Sequence, residues 1–137
     1  MASDLQTSIL VSAAGLRVQG QRVKVIAENV ANANSTASTA GGDPYRRKVI
    51  TFKNVFDRAL DADTVRVDKV LGDKGEFTSV YDPNHPAAGP EGYYKKPNVN
   101  ALVEMSDMRE AQRSYEANLN VIESSRSMVT RTIDLLR

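Results

Sequence analysis

Few side chains in this 137-residue sequence could do chemistry. The single histidine, His85, lies in Tyr81-Asp82-Pro83-Asn84-His85-Pro86, with Asp82 as its nearest carboxylate. A zinc site takes about three or four protein ligands, and the sequence has no second histidine and no cysteine. A hydrogen-bonded turn is the expected role of His85, with no metal bound. A serine nucleophile would need this one histidine as its base, on a proline-bracketed loop, and no constellation supports it. There is no nucleophile elbow, phosphate loop or dinucleotide fingerprint. Gly41-Gly42 runs into Asp43-Pro44, which suits a turn and not a phosphate cradle. The sequence predicts no catalytic residues, no metal and no cofactor.

Tyr45-Arg46-Arg47-Lys48 is a short basic cluster. The chain as a whole carries a net charge of only +1 and 6% aromatic residues, too little of either for a nucleic-acid footprint. The cluster is expected to be a solvated or partner-facing strand end. Without cysteine, disulfides and thiolate chemistry are excluded. No apolar run approaches the roughly 18 residues of a membrane span, so no membrane insertion is expected. No positive side chain precedes Arg17, so a cleaved secretory signal is not expected either.

Two long amphipathic segments must position whatever the chain offers. Leu5, Ile9, Leu16, Val23, Ile26, Val30 and Ala33 fall on alternating spacings of four and three, with Ser12 and Gln19 in the remaining places. This is a heptad stripe, flanked by a second row of Val11, Val18 and Val25. Ser3 or Asp4 is a candidate cap. Gly15 and Gly20 interrupt the helix, each at about 1 kcal/mol relative to Ala; they mark either a close backbone approach or a soft helix. After Pro97, with Asn98 or Asn100 as N-cap, Met105, Met108, Tyr115, Leu119, Ile122, Val129, Ile133 and Leu136 repeat the pattern. Gln112 and Arg126 fill the gaps, and Val121, Met128 and Leu135 flank them. Arg126 is expected either to reach outward to Glu123 or to fix register against a carboxylate.

The residues between these helices read differently. STASTAGGDP (35–44) is a turn-rich break, and RRKVITFKNVF (46–56) reads as a strand followed by something short and possibly helical. TVRVDKVLGDKGEFTSVY (64–81) reads as two strands around Gly72-Asp73-Lys74-Gly75, and DPNHPAAGPEG (82–92) as a tight loop. The expected fold is mainly α: an elongated hairpin of N- and C-terminal heptad helices, residues 1–34 and 98–137, with a small β-rich insert, 35–97, at one end. Helices of about 45 and 55 Å exceed the roughly 14 Å radius of gyration of a globule this size. Their broad apolar faces call for other chains. The expected subunit-interface residues are Leu5, Ile9, Leu16, Val23, Ile26, Asn29, Val30, Asn32, Met105, Met108, Tyr115, Leu119, Ile122, Arg126, Val129, Ile133 and Leu136.

AENVANANS (27–35) places three asparagines where the first helix should stop. Asn32 continues the Val11, Val18, Val25 row, and Asn29 lies about 60° from it on the helical wheel. The stripe therefore turns from apolar to hydrogen-bonding. Asn29 and Asn32 are expected to lock the helix to the loop after it or to an adjacent subunit, with Asn34 as a stop or turn residue.

GLRVQGQRVKVIAENVANANST (15–36), YDPNHPAAGPEGY (81–93) and PNVNALVEMSDMREAQRSYEANLNVI (97–122) resemble the flagellar rod, hook and hook-associated axial protein family. Ser35 stands where Thr is common in that family, and Tyr94-Lys95-Lys96 where it usually has another strand-like segment. The resemblance implies a non-enzymatic subunit of the proximal rod that polymerises helically to transmit motor torque. It implies export by the flagellar type III apparatus without signal cleavage, and a periplasmic location in the basal body. Implied partners are further copies, other proximal-rod subunits, a FliE-type hook–basal-body protein and the MS-ring region. A soluble coiled-coil adaptor or export chaperone is the alternative reading.

Overall fold

The structure, a computed structural model, describes residues 2–137, with side chains from Asp4 onward. Helix α1 (Ala2–Ala31) comes first, followed by β1 (Lys48–Asp57), β2 (Ala62–Gly72), β3 (Thr78–Tyr81), β4 (Tyr93–Lys96) and helix α2 (Ala101–Leu135). Two helices at the two ends thus enclose a small insert of two two-stranded sheets, β1-β2 and β3-β4.

Local chemistry accounts for the helix ends. Asp4 falls in the first turn of α1, where a carboxylate suits the positive end of the helix dipole. The side chain of Ser3, the other candidate cap, lies outside the described residues. Asn100 caps α2: its Oδ1 accepts from the backbone N–H of Leu102 and Val103 at 3.1 and 3.4 Å. Asn98, the other candidate, is spent elsewhere. At the end of α1 the Asn32 side chain donates back to Glu28 O at 2.8 Å, and Ser35 Oγ donates to Asn32 O.

The chain divides into two compact units. The first comprises Met1–Val23, Thr51–Lys69 and Arg109–Arg137. Within it α1 runs antiparallel to α2: Leu5 shares a groove with Met128 and Leu135, Gly15 meets Asn118, and Arg22 pairs with Glu110 at 3.3 Å. The buried positions are Ser12, Gly15 and Val18 on α1, and Ala111 and Ser125 on α2. On α2 they trace a different line from the heptad stripe, whereas Ser12 on α1 lies on it. Tyr115, Leu119 and Ile133, expected on the seam, are exposed. The physical reason is the close approach at Gly15, since large side chains do not fit a contact line this tight. The β1-β2 hairpin turns at Arg58–Asp61, with Asp61 at φ 48°, a left-handed conformation that Asp tolerates. No helix follows β1. The hairpin borders a groove of about 650 Å³ along mid-α1, between Leu10, Ala14 and Val18 and Leu60, Val65 and Val67. These strands therefore lie beside α1, not beyond its end.

The second unit comprises Lys24–Ile50 and Val70–Met108. Here β3 pairs antiparallel with β4, Tyr81 opposite Tyr93, and those rings lie 5.0 Å apart. Tyr93–Lys96 is thus a strand after all. The expected hairpin around Gly72–Gly75 does not form, because other groups capture that segment. Asp73 N–H donates to Arg47 O at 2.7 Å, and Arg46 donates to Asp73 O and Gly75 O. His85 sits in a hydrogen-bonded turn: Nδ1 accepts from Ala87 N–H at 3.1 Å, and the ring stacks on Tyr94 at 4.0 Å. Gly41, at φ 70°, donates its N–H to Ala87 O, and a Cβ placed on it would stand 3.6 Å from Gly89 Cα, so the glycine pair serves a loop contact.

Gly15 gives a direct test of the close approach. A Cβ there would stand 2.8 Å from Asn118 Oδ1, and Asn118 is anchored to Ser114 O at 2.9 Å. Overpacking of about 1–3 kcal/mol then outweighs the roughly 1 kcal/mol propensity gain of Ala over Gly. Gly15→Ala is expected to lower the unfolding midpoint of the native chain. In an Asn118→Ala background the sign reverses, and the same substitution raises it. Thermal unfolding of the four variants checks this.

Candidate functional site: a buried polar joint

A buried and satisfied polar cluster lies in the second unit. Asn29 and Glu104 are each only 1% exposed and are the largest fully buried side chains described. Asn29 is brought there by the last turns of α1, on the face that also buries Val25 and Ile26. Its Nδ2 donates to Lys48 O at 2.9 Å and to Glu104 Oε2 at 3.0 Å. Its Oδ1 accepts from Tyr45 Oη at 2.8 Å and from Lys48 N–H at 2.9 Å. Both amide donors and both acceptor sites are used. The amide thus bridges α1, the loop leading into β1, and the first turn of α2.

Glu104 completes the joint from the other side. Its second oxygen accepts from Arg47 Nε. Arg47 also reaches Asp73 Oδ2 at 3.2 Å and Asp107 Oδ2 at 3.9 Å, while its backbone N–H donates to Asn98 Oδ1 at 2.8 Å. Burial is the strongest single influence on the guanidinium and pulls its pKa down. The hydrogen bonds and charges of Glu104 and Asp73 outweigh it, and the net displacement is upward. Asp73 is held below the ordinary carboxylate range, first by the Gly75 N–H and then by Arg47. Lys48 Nζ binds Glu28 at 2.8 Å, lowering the Glu28 pKa and raising its own. Burial pushes the Tyr45 hydroxyl upward.

The sequence-derived interface residues fall into three groups. Ile26 and Asn29 are buried. Leu5, Ile9, Leu16, Val23, Val30, Asn32, Met108, Ile122 and Val129 are half-buried. Met105, Tyr115, Leu119, Arg126, Ile133 and Leu136 are exposed. Arg126 makes no ion pair among the described residues, and the buried helix charge is Glu104 instead. Sequence reasoning also missed Arg47, whose cluster was expected to face solvent or a partner. The available signal was one carboxylate, Glu104, breaking the apolar start of α2, and a Tyr-Arg-Arg-Lys run able to meet it.

The polar atoms of Asn29 and Glu104 are all partnered within the chain. Meanwhile Leu119, Met128, Ile133 and Leu135 stay exposed on α2, as does Leu136 just beyond it. A satisfied internal joint and, separately, uncovered apolar helix surface are features of a structural, assembling protein. The family described as "Flagellar basal body rod FlgEFG protein C-terminal" matches residues 91–135. The chain is 49% identical over 133 residues to the flagellar basal-body rod protein FlgC of Agrobacterium fabrum, covering 97% of this chain and 96% of that one. It is 34% identical to FlgC of Bacillus subtilis (93% and 95% covered) and 38% identical to that of Borreliella burgdorferi (97% and 98% covered). The chain belongs to the flagellar basal-body rod protein FlgC family, whose members are structural subunits of the rod.

Removing the Asn29 amide strands Lys48 N–H, Lys48 O, the Tyr45 hydroxyl and one Glu104 oxygen. Asn29→Ala is expected to destabilise the fold by about 2–4 kcal/mol, measured by denaturant unfolding. Asn29→Asp, which sets a second carboxylate against Glu104, should be at least as damaging. Glu28 and Asp73 hold protons less readily folded than unfolded. Their contribution is therefore complete above the ordinary carboxylate range and is lost as pH falls through their lowered folded values. Asp73→Asn should flatten part of this acid limb in a stability–pH profile.

Proposed function

We propose that this chain is a non-enzymatic subunit of the proximal rod that polymerises helically through its terminal helices and so transmits motor torque. Residues 1–34 and 98–137 serve as the rod-core segments, packed side by side with those of neighbouring subunits in coiled-coil fashion. Residues 35–97 form the insert, facing outward. The observation that carries this reading is the uncovered apolar surface of α2 and the residue after it, with Leu135 and Leu136 87% and 82% exposed. An isolated soluble chain gains by covering such surface, and a rod offers neighbours on every side. Torsional stiffness then comes from many lateral helix contacts and from the Asn29–Glu104 joint, which ties the insert's first strand to both helices.

On this reading the partners are further copies, other proximal-rod subunits, a FliE-type hook–basal-body protein and the MS-ring region. The chain leaves the cytoplasm through the flagellar type III apparatus without signal cleavage and works in the periplasm. Cryo-electron microscopy of isolated basal bodies is expected to find it within the proximal rod. A stable soluble dimer that never extends would point to an adaptor or chaperone instead. The double variant Asn29→Ala/Asn32→Ala should abolish rod assembly while the chain is still exported. Swarming that matches the wild type would defeat the proposed role of these asparagines.

A further inference from the structure

Gly15 and Gly20 lie five residues apart on α1, but their surroundings differ. Gly15 is required by the chain itself, because Asn118 occupies the space a side chain would take. Gly20 has no such reason. It is helical, its φ is not in the left-handed region, and a Cβ built there meets nothing within 4 Å. A glycine inside a helix is a standing loss of stability. Nothing in the packing of this chain repays it.

What lies in front of Gly20 is a depression of about 390 Å³, lined by Gly20, Val23, Gln112, Tyr115 and Glu116. The lining thus joins a glycine without a side chain, the 40%-exposed Tyr115 and the carboxylate-bearing Glu116. Glu116 makes no ion pair among the described residues. The far end of α2 carries apolar and basic side chains that, with Asp4 and Leu5, border a shallow groove. Met128, 55% exposed, and Leu135 stand on one line of the helix with Arg131 between them, and Arg131 too is without an ion pair among the described residues.

We propose that the Gly20 depression is a docking hole for the distal α2 face of a second copy of this chain. Met128 enters the hole against Tyr115 and Val23, and Arg131 meets Glu116 on its rim. The absent side chain at position 20 admits the knob, and the opposite charges fix its direction. Hole and knob are different patches of the same protein, so the contact is heterologous. One copy's knob fills the next copy's hole, and the series continues as an open filament instead of closing as a dimer. The inference rests on the rod-subunit reading and names the surface through which copies of the chain meet.

The absence of native cysteine makes the test clean. Two full-length variants are co-expressed, Gln112→Cys at the hole and Thr132→Cys beside the knob, and disulfide-linked species are read from isolated basal bodies. The expected product is a 112–132 dimer of this chain, with no 112–112 or 132–132 product. Gly20→Leu, which fills the hole, should remove it, whereas Gly20→Ala should leave helicity and thermal midpoint at or above wild type and still reduce the yield several-fold. Glu116→Arg and Arg131→Glu should each reduce incorporation, and the two together should restore it. Cysteine 112 linking to a different rod protein, or only to itself, overturns this docking while leaving the rod-subunit reading intact. So does full incorporation of Gly20→Leu. Basal bodies that lack the chain altogether overturn both.

Discussion

The buried contact between the Asn29 amide and the Glu104 carboxylate is the constraint around which one whole unit of this chain is arranged. A carboxylate removed from water is tolerated only when its oxygens are bonded and its charge is met. Here Asn29 takes one oxygen and Arg47 the other. Each requirement recruits a further segment. The Asn29 carbonyl needs donors, and Tyr45 and the Lys48 backbone supply them. Arg47, drawn in to neutralise Glu104, carries Asp73 and Asn98 with it. The Gly72–Gly75 segment is thereby pulled out of the hairpin its sequence suggests. A chain with few aromatic residues and little room for an apolar core uses a satisfied polar network to set one geometry.

The other unit is governed by helix approach instead of charge. Small residues occupy the buried positions, Ser12, Gly15 and Val18 on α1 and Ala111 and Ser125 on α2. Keeping bulky side chains off this line leaves Tyr115, Leu119, Met128 and Ile133 outside it. In a monomeric enzyme this would be wasteful, because apolar burial is the main source of stability. In a member of a rod family it leaves apolar surface available for neighbours. One unit is thus ordered by a satisfied polar network, and the other leaves much of its apolar area outside its own core.

Much of this was legible in the residues. The two terminal helices follow from long heptad spacings, and the turn at His85 from its proline and asparagine neighbours. An asparagine cap on α2, at position 98 or 100, and the halt of α1 at the asparagine run also follow from local chemistry, because capping and turn preferences act over a few residues. The heptad stripe itself misled. Periodicity identifies an apolar face but not which side of it meets the partner helix, and a rotation of one residue moves Glu104, Ala111 and Ser125 inward in place of Met105, Gln112 and Arg126. Strand partners were equally hidden. The strands at 64–72 and 78–81 were visible, but their pairing with β1 and β4 depends on groups far away in sequence.

By itself, then, the sequence determined the two terminal helices, the strand-bearing stretch between them and the family. All of these rest on short-range preferences or on motif composition. Only the tertiary structure decided that Arg47 turns inward, that Glu104 is the buried charge and that Gly15 and Gly20 have different neighbours. Burial and hydrogen-bond partnership are properties of residues brought together from distant segments. Asn29 and Glu104, 75 positions apart, acquire theirs only when the two helices lie side by side.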